Sequence, residues 1–559
     1  MFSDGSFEKF RLKDYRRLFL LGAVLGGLIF VLIYGVRIIN PGYTDWIYYA
    51  DNDLKQHFMG WCHYRNSKWQ FPIGLIDNLS YPFSMSTIYT DSIPGVALVF
   101  KLISGILPTD FQYFGIVGLL SFILCGGTSV ILLKRFIRSP WVCLALCPFF
   151  TLSFPIIQRM YYHTALAAHW IIFLALIIWA YDPLTAKSHK PMLYWGLMSI
   201  LCVSVHSYYL PMAGMILLCD RIVYYIKNRK IIDSILPIIT FCIAGVAALW
   251  VYGGFYGSSS GVGYGLGTFG ANFNTFFNPT YYGYLLPELP LENYFQYEGC
   301  GYLGAGILML SLIVDAMLII NRKRLAERLR IDKDQMAYLW TGLGLFIVSF
   351  FAAALPTITI GSVNVGTVPY PEPVYKLLSI FRSNGRFIWV AMYVLMLTIS
   401  VCFVSFFEDK RKILLVLIAA ALILQGWDLT KMIKEKHGAY AKSDYSYETI
   451  WDSDYELRMM TNGRKHFVFL YDENDINMET AFYAYKHNMT LSNFYFARDI
   501  NEQVNQEIKR YTDELRDGLI RDDTVYIMKL EDYEMNIDYF KDKNITTNMI
   551  EDHIVFVSN

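Results

Sequence analysis

A carboxylate, an imidazole and an indole stand at helical spacing near the start of this chain: Asp53, His57 and Trp61 lie at i, i+4 and i+8, with Gln56 beside them. A helix beginning near Asp53 presents all three on one face. A carboxylate so placed takes a proton from a hydroxyl in general-base chemistry, or simply caps the helix that follows it. The same polar stretch, Asp45 to Asp91, continues through Arg65 and Trp69 to Tyr89-Thr90-Asp91-Ser92-Ile93-Pro94. Asp91 and Ser92 suit a helix cap ahead of Pro94; a second acid in the same loop also suits a shared site.

Two further segments carry charge where membrane helices begin. Phe381-Arg382-Ser383-Asn384-Gly385-Arg386-Phe387-Ile388-Trp389 holds two arginines around a glycine turn. The planar guanidinium fork binds phosphate oxygens well, and the same residues with Trp389 suit anchoring at lipid headgroups. Phe295-Gln296-Tyr297-Glu298-Gly299 offers Glu298, either a polar contact to substrate or a solvated loop acid. His163, His169 and His206 lie in or near apolar runs, where an ionisable group is a functional hypothesis by default. His57 and His63 make too weak a pair to name a zinc site.

The elements that must position these residues are membrane helices. Of 559 residues, 55% are hydrophobic, 17% aromatic and only 17% charged, and the mean hydropathy is +0.33. Crossing the hydrocarbon takes roughly 20 apolar residues, and such runs occur near 17–39, 112–134, 140–158, 163–181, 192–209, 210–226, 231–252, 302–320, 337–356, 387–407 and 412–428. About eleven crossings result. The basic clusters at Arg11–Arg17, Lys134–Arg138, Lys187–Lys190, Lys227–Lys230, Arg322–Arg330 and Lys410–Lys412 then share one side, which the positive-inside rule makes cytoplasmic. This holds only if Ile93–Pro108, with Lys101 inside it, re-enters or lies at the interface instead of crossing.

The expected architecture is a mainly α, polytopic membrane domain over 1–428, with the N-terminus cytoplasmic and large external loops at 41–111, 253–301 and 356–386. An external α/β domain follows over 429–559. In that tail, alternation predicts strands at His466–Tyr471, Met489–Phe496, Thr524–Met528 and His553–Val557, and helices at Met478–Lys486 and Ile500–Gly518. The N-terminus is expected to be a retained first helix, since no cleavage site follows it. The nine cysteines show no CxxC pair and suit buried packing, while Cys62 and Cys300 leave a loop-to-loop disulfide open. Gly253–Gly270 lacks the strand–turn–helix setting of a phosphate cradle. A net charge of +0 gives no global field to draw in nucleic acid.

Taken together, several motifs carry a resemblance. They are Asp53-x-x-Gln56-His57-x-x-Gly60-Trp61-x-x-x-Arg65-x-x-x-Trp69-x-x-Pro72-x-Gly74, Tyr89-x-Asp91-Ser92-Ile93-Pro94, Phe111-Gln112-Tyr113-Phe114-Gly115, Gln296-Tyr297-Glu298-Gly299-x-Gly301-Tyr302-Leu303-Gly304 and Arg382-Ser383-x-Gly385-Arg386-Phe387. The set resembles an uncharacterised bacterial family of polytopic membrane proteins grouped with GT-C glycosyltransferases, from the first helix to about residue 430.

The resemblance implies a membrane glycosyltransferase whose first external loop carries the essential acid. It would take sugar from a polyprenyl-phosphate-linked donor, act on a cell-surface glycan or lipid acceptor among membrane lipids, and invert the anomeric centre. Asp53 takes the place of that acid, with Asp91 beside it. Gln56, His57, Trp61, Arg65, Trp69, Glu298, Arg382 and Arg386 are candidate substrate contacts. Asp53 and Asp91 are also candidate ligands for a divalent cation, Mg or Mn. The compact acidic pair of several such enzymes is absent, Asp53 being flanked by Asn52 and Leu54, which puts metal dependence in question. The alternative is a flippase or exporter of lipid-linked sugars without transferase activity.

Overall fold

A computed structural model describes residues 12–49, 53–181, 190–256, 265–329, 333–442, 444–471, 476–497, 501–541 and 543–559. Most of the basic N-terminus, Asp51 and Asn52, residues 187–189 of one basic loop and the middle of the glycine-rich run lie outside them.

Hydropathy and length together set the membrane domain. Among the described residues, six helices are long and apolar enough to cross: Lys13–Tyr34, Phe114–Phe136, Tyr209–Asn228, Ile231–Val251, Met336–Ala354 and Asn384–Phe407. A further pair of helices passes the same test only together, Arg411–Asp428 meeting Thr430–Ala441 at 56°, a bend that fits a broken span or a re-entrant loop. Four more apolar helices, Pro140–Thr151, Thr164–Ala180, Lys190–Val205 and Ala305–Ile320, fall short of that length. All eleven hydrophobic runs are therefore helical, but several are interrupted. Pro148 sits inside one short helix, and the chain breaks again before Phe154–Arg159, because proline cannot continue the hydrogen-bond ladder.

Close packing begins with glycine. Gly22 and Gly26 of the first helix face Gly126 of Phe114–Phe136, so nearly that a Cβ on Gly26 would stand 2.0 Å from the carbonyl oxygen of Phe122. This is the small-residue contact by which apolar helices approach when no hydrophobic force separates them from lipid.

Between these two helices lies the first large loop, which is a folded unit. It holds a helix, Leu54–Asn66, and an antiparallel hairpin of β1 (Leu75–Ser80) and β2 (Phe83–Ser86), then a nine-residue helix, Pro94–Leu102. At about 1.5 Å per residue that last helix is far too short to cross. It and the turn after it expose Val99, Leu102, Ile103 and Ile106, while Lys101 is buried against the rings of Tyr64 and Trp69. A second hairpin, β3 (Thr357–Ile360) and β4 (Val363–Thr367), stands in the loop before Asn384.

The tail is an α/β unit on a five-stranded sheet ordered β6-β5-β7-β9-β8. Its strands are β5 (His466–Phe469), β6 (Thr490–Leu491), β7 (Thr524–Lys529), β8 (Ile545–Ile550) and β9 (His553–Ser558). The helices Asn477–His487 and Asn501–Arg516 fall where periodicity places them. The strand expected over Met489–Phe496 shrinks to two residues, because the chain beyond it leaves the sheet to bond the first loop: Gln56 Nε2 donates to the Tyr495 carbonyl at 2.9 Å, and the Ala497 N–H donates to the Tyr89 carbonyl at 2.8 Å. His63 adds a 2.9 Å contact to the Ala481 carbonyl, and Tyr48 stacks on Tyr447.

Gly26→Val forces the first two long helices apart. We expect destabilisation of about 1–3 kcal/mol, read as a lower Tm of the detergent-solubilised protein, with Gly27→Val, which faces only side-chain atoms, milder.

Candidate functional site

The first-loop helix starts at Leu54, with Asp53 at its N-cap position. Its backbone carbonyl accepts from His57 N–H, but its carboxylate makes no capping bond. That side chain, 47% exposed, instead lies 3.0 Å from His163 Nε2. Asp91 does not cap either: the helix Pro94–Leu102 has Ile93 at its N-cap position and no side-chain cap. Both acids are turned to a common centre.

Asp91 is forced there by its backbone. Its φ of 49° and that of Ile93, 54°, lie in the left-handed region, where a β-branched residue is under strain. Four contacts brace this turn. Tyr113 hydroxyl donates to the Ser92 carbonyl, Ser92 Oγ donates to the His57 carbonyl at 2.7 Å, Thr90 and Ser92 hydroxyls are 2.8 Å apart, and Ser86 Oγ caps the preceding turn. Gly60 makes room, since a Cβ there would lie 2.2 Å from Thr90 Oγ1.

Three imidazoles face Asp91: His206 Nε2 at 3.4 Å from Oδ1, with His163 Nδ1 at 3.6 Å and His57 Nε2 at 3.9 Å from Oδ2. Burial pushes the His57 imidazole down to about 4. For Asp91 burial acts upward, but the facing His206 and His163 hold its carboxyl well below the usual range. The contact with His163 lowers Asp53. His163 is raised by Asp53 and Asp91 against the effect of its burial.

Four residues before His163, at the end of the helix Phe154–Arg159, is Arg159, whose carbonyl accepts the His163 N–H at 2.9 Å across the turn. Arg159 and Arg386 both grip Glu298, at 3.0 and 2.8 Å, in a buried cluster. Against its burial, the two guanidiniums hold the Glu298 carboxyl far below the usual range. Arg386 also lies over the Tyr208 ring at 4.7 Å. The cluster carries one net positive charge, and Arg386 is close enough to act electrostatically on His163 and Asp91.

The structure thus brings together Asp53, His57, Asp91, Glu298 and Arg386. The other candidates do not touch this centre. Gln56 bonds the tail. Trp61 is buried and donates to the Phe111 carbonyl, and Arg65 donates to the Pro108 and Thr109 carbonyls. Trp69 is exposed beside Lys101, and Arg382 is exposed over Phe269. Trp389 is no interface anchor but is buried, donating to the Cys300 carbonyl at 3.2 Å. Cys62 and Cys300 are both free thiols, so that disulfide is absent. Residue types alone singled out His163 and His206 only as ionisable groups near apolar runs; Arg159 carried the same signal.

A buried ion cluster is costly to break from one side, by about 3–5 kcal/mol. Glu298→Gln leaves Arg159 and Arg386 facing each other uncompensated, so we expect a loss of stability of that order, measured by thermal unfolding, with Arg382→Gln near neutral.

No curated protein matches the chain in sequence. Among solved structures it is similar to the Archaeoglobus fulgidus oligosaccharyltransferase tethered to an acceptor peptide containing the NVT sequon, at 11% identity, over 95% of this chain and 71% of that chain, with a TM-score of 0.48. The model of a domain of unknown function, DUF6311, matches residues 23–430, and that of the DUF6311 C-terminal domain matches residues 456–558. Both the membrane domain with its first loop and the sheet-bearing tail are covered, and the chain belongs to the DUF6311 family.

Proposed function

We propose that this chain is an inverting membrane glycosyltransferase that moves a sugar from a polyprenyl-phosphate-linked donor to a glycan or lipid acceptor at the external face of the cell membrane. The observation that supports it is the convergence of two loop acids, Asp53 and Asp91, on His163, four residues after Arg159 of the buried Arg159–Glu298–Arg386 cluster.

Transfer with inversion needs an attack and a departure on opposite faces of the anomeric carbon. Asp53 is the more exposed acid, so an acceptor hydroxyl reaches it. As the hydroxyl oxygen bonds to the anomeric carbon, its proton passes to the Asp53 carboxylate. The old bond breaks with its electron pair going to the lipid phosphate oxygen, and fixed positive charge stabilises the phosphate as it leaves. The net positive Arg159–Glu298–Arg386 cluster supplies that field without needing to move. Arg382, exposed at the same loop and with no carboxylate partner among the described residues, suits direct contact with the phosphate.

The external orientation is supported by the described basic clusters Lys134–Arg138, Lys227–Lys230 and Lys410–Lys412, which fall at helix ends that connect to neither the first loop nor the tail. A cysteine at Ser453, which is exposed, should react with an impermeant maleimide in intact cells; protection there, with the tail intact, would place the site on the other side.

For the reaction, full-length protein in nanodiscs is supplied with a panel of polyprenyl-phosphate sugars and surface-glycan acceptors. Wild type should transfer, and Asp53→Asn should lose at least about 100-fold in rate with its Tm unchanged. Normal transfer by folded Asp53→Asn removes Asp53 from the mechanism.

A further inference from the structure

The spacing around Asp91 is wrong for hydrogen bonds and right for an ion. His57 Nε2 and His163 Nδ1 lie 3.9 and 3.6 Å from the same oxygen, Asp91 Oδ2, beyond a normal hydrogen bond. His57 is fully buried, and neither of its ring nitrogens has a partner; His163 Nδ1 is likewise buried and unpartnered. Buried polar atoms of this kind are costly to leave without a partner. One ligand atom from each of His57, Asp91 and His163 lies within 4.8 Å of the other two. A metal with bonds of about 2.0–2.1 Å to nitrogen and 2.0–2.2 Å to oxygen needs ligand atoms about 3.4 Å apart. The two gaps to Asp91 Oδ2, 3.9 and 3.6 Å, are a few tenths of an ångström larger, and the gap between the imidazoles is within 4.8 Å.

The surrounding groups orient those ligand atoms. Asp53, 3.0 Å from His163 Nε2, favours the ring proton on that nitrogen and leaves the Nδ1 lone pair toward Asp91. His206 Nδ1 accepts the Tyr208 N–H at 3.2 Å, so its proton sits on Nε2, directed at Asp91 Oδ1. Carboxylate-to-histidine and histidine-to-carboxylate contacts of this kind are what fix ligands around a bound metal.

We propose that His57 Nε2, Asp91 Oδ2 and His163 Nδ1 form a three-ligand site for a nitrogen-seeking divalent transition ion of the zinc type, with Asp53 and His206 as its outer support. Two imidazoles out of three ligands argue against magnesium, which prefers an all-oxygen octahedron, and toward zinc and its neighbours. Three protein ligands leave one position open for an oxygen of the substrate. The proposal deepens the transferase reading, since such an ion draws negative charge to the place where lipid phosphate would sit.

The test uses the full-length protein in detergent, stripped by chelator and titrated calorimetrically with Zn²⁺ alone. Wild type should bind about one equivalent. His57→Gln and His163→Gln should weaken binding more than about tenfold, and Asp53→Asn, which touches only an outer contact, by about 10–100-fold. Cobalt should give the intense visible band of a low-coordinate ion in wild type, a readout that does not depend on any variant folding. Failure of wild type to bind zinc, equal affinity in folded His57→Gln, magnesium binding as tight as zinc, or only the weak band of six-coordinate cobalt would each overturn the site. Zinc bound without transfer from any donor sinks the transferase and keeps the site; transfer by wild type that binds no zinc sinks the site and keeps the transferase.

Discussion

A half-buried carboxylate sets the terms for this protein. Asp91, its side chain 16% exposed, holds a left-handed backbone conformation, and an ionised acid so enclosed is favoured by polar or positive groups around it. Those groups come from three separate parts of the chain. His57 comes from the first-loop helix, His163 from the turn after Phe154–Arg159, and His206 from the break between two apolar helices. These positions depend on one another, because three rings from separate elements are gathered around one carboxylate. The strain at Asp91 and Ile93 is what such over-determination can hold, and Tyr161, also at positive φ, lies on the turn that delivers His163.

That turn couples two charge systems that need not otherwise have met. Arg159 and His163 stand only four residues apart, yet Arg159 belongs to the Glu298 cluster and His163 to the aspartate centre. Glu298 brings the loop before Ala305–Leu329, and Arg386 brings the start of Ile388–Phe407. The tail closes the assembly from outside by main-chain bonds to Gln56 and Tyr89, close to both acids. Its influence on the site therefore passes through backbone position and needs no charged residue.

What could be read from residue order follows from which forces are local. Hydropathy placed all eleven apolar runs, since burial in lipid depends on composition over a window. It did not show that Pro148 and the Ser153-Phe154-Pro155 break would shorten some of them. Asp53 and Asp91 stood out because acids repeat in one loop. The i, i+4, i+8 pattern was only half informative: His57 turns inward to Asp91, while Trp61 goes to the aromatic core with Phe100, Phe111 and Tyr113. Arg65 has motif spacing but neutralises carbonyls at a loop end. The strand β8 was invisible because it pairs only with β9 and leaves its Thr and Asn side chains largely exposed, so it lacks the apolar alternation of a half-buried strand. Pairings such as Arg159 with Glu298 are long-range contacts that no local pattern encodes.

The arrangement also bears on enzyme against carrier. A carrier of a charged headgroup must present it to both sides, which requires ionisable groups near mid-membrane and an element with two arrangements of similar energy. Here the acids are held at the ends of apolar helices by loops, not within the spans. The cations that would set the field at a phosphate, Arg159 and Arg386, are tied to Glu298 in a buried cluster whose opening would leave charge unpaired. Such a cluster is poor at moving and good at holding a fixed field, and a fixed field at the point where charge develops is what lowers a barrier. The stiffness that would hinder transport is the property that transfer chemistry uses.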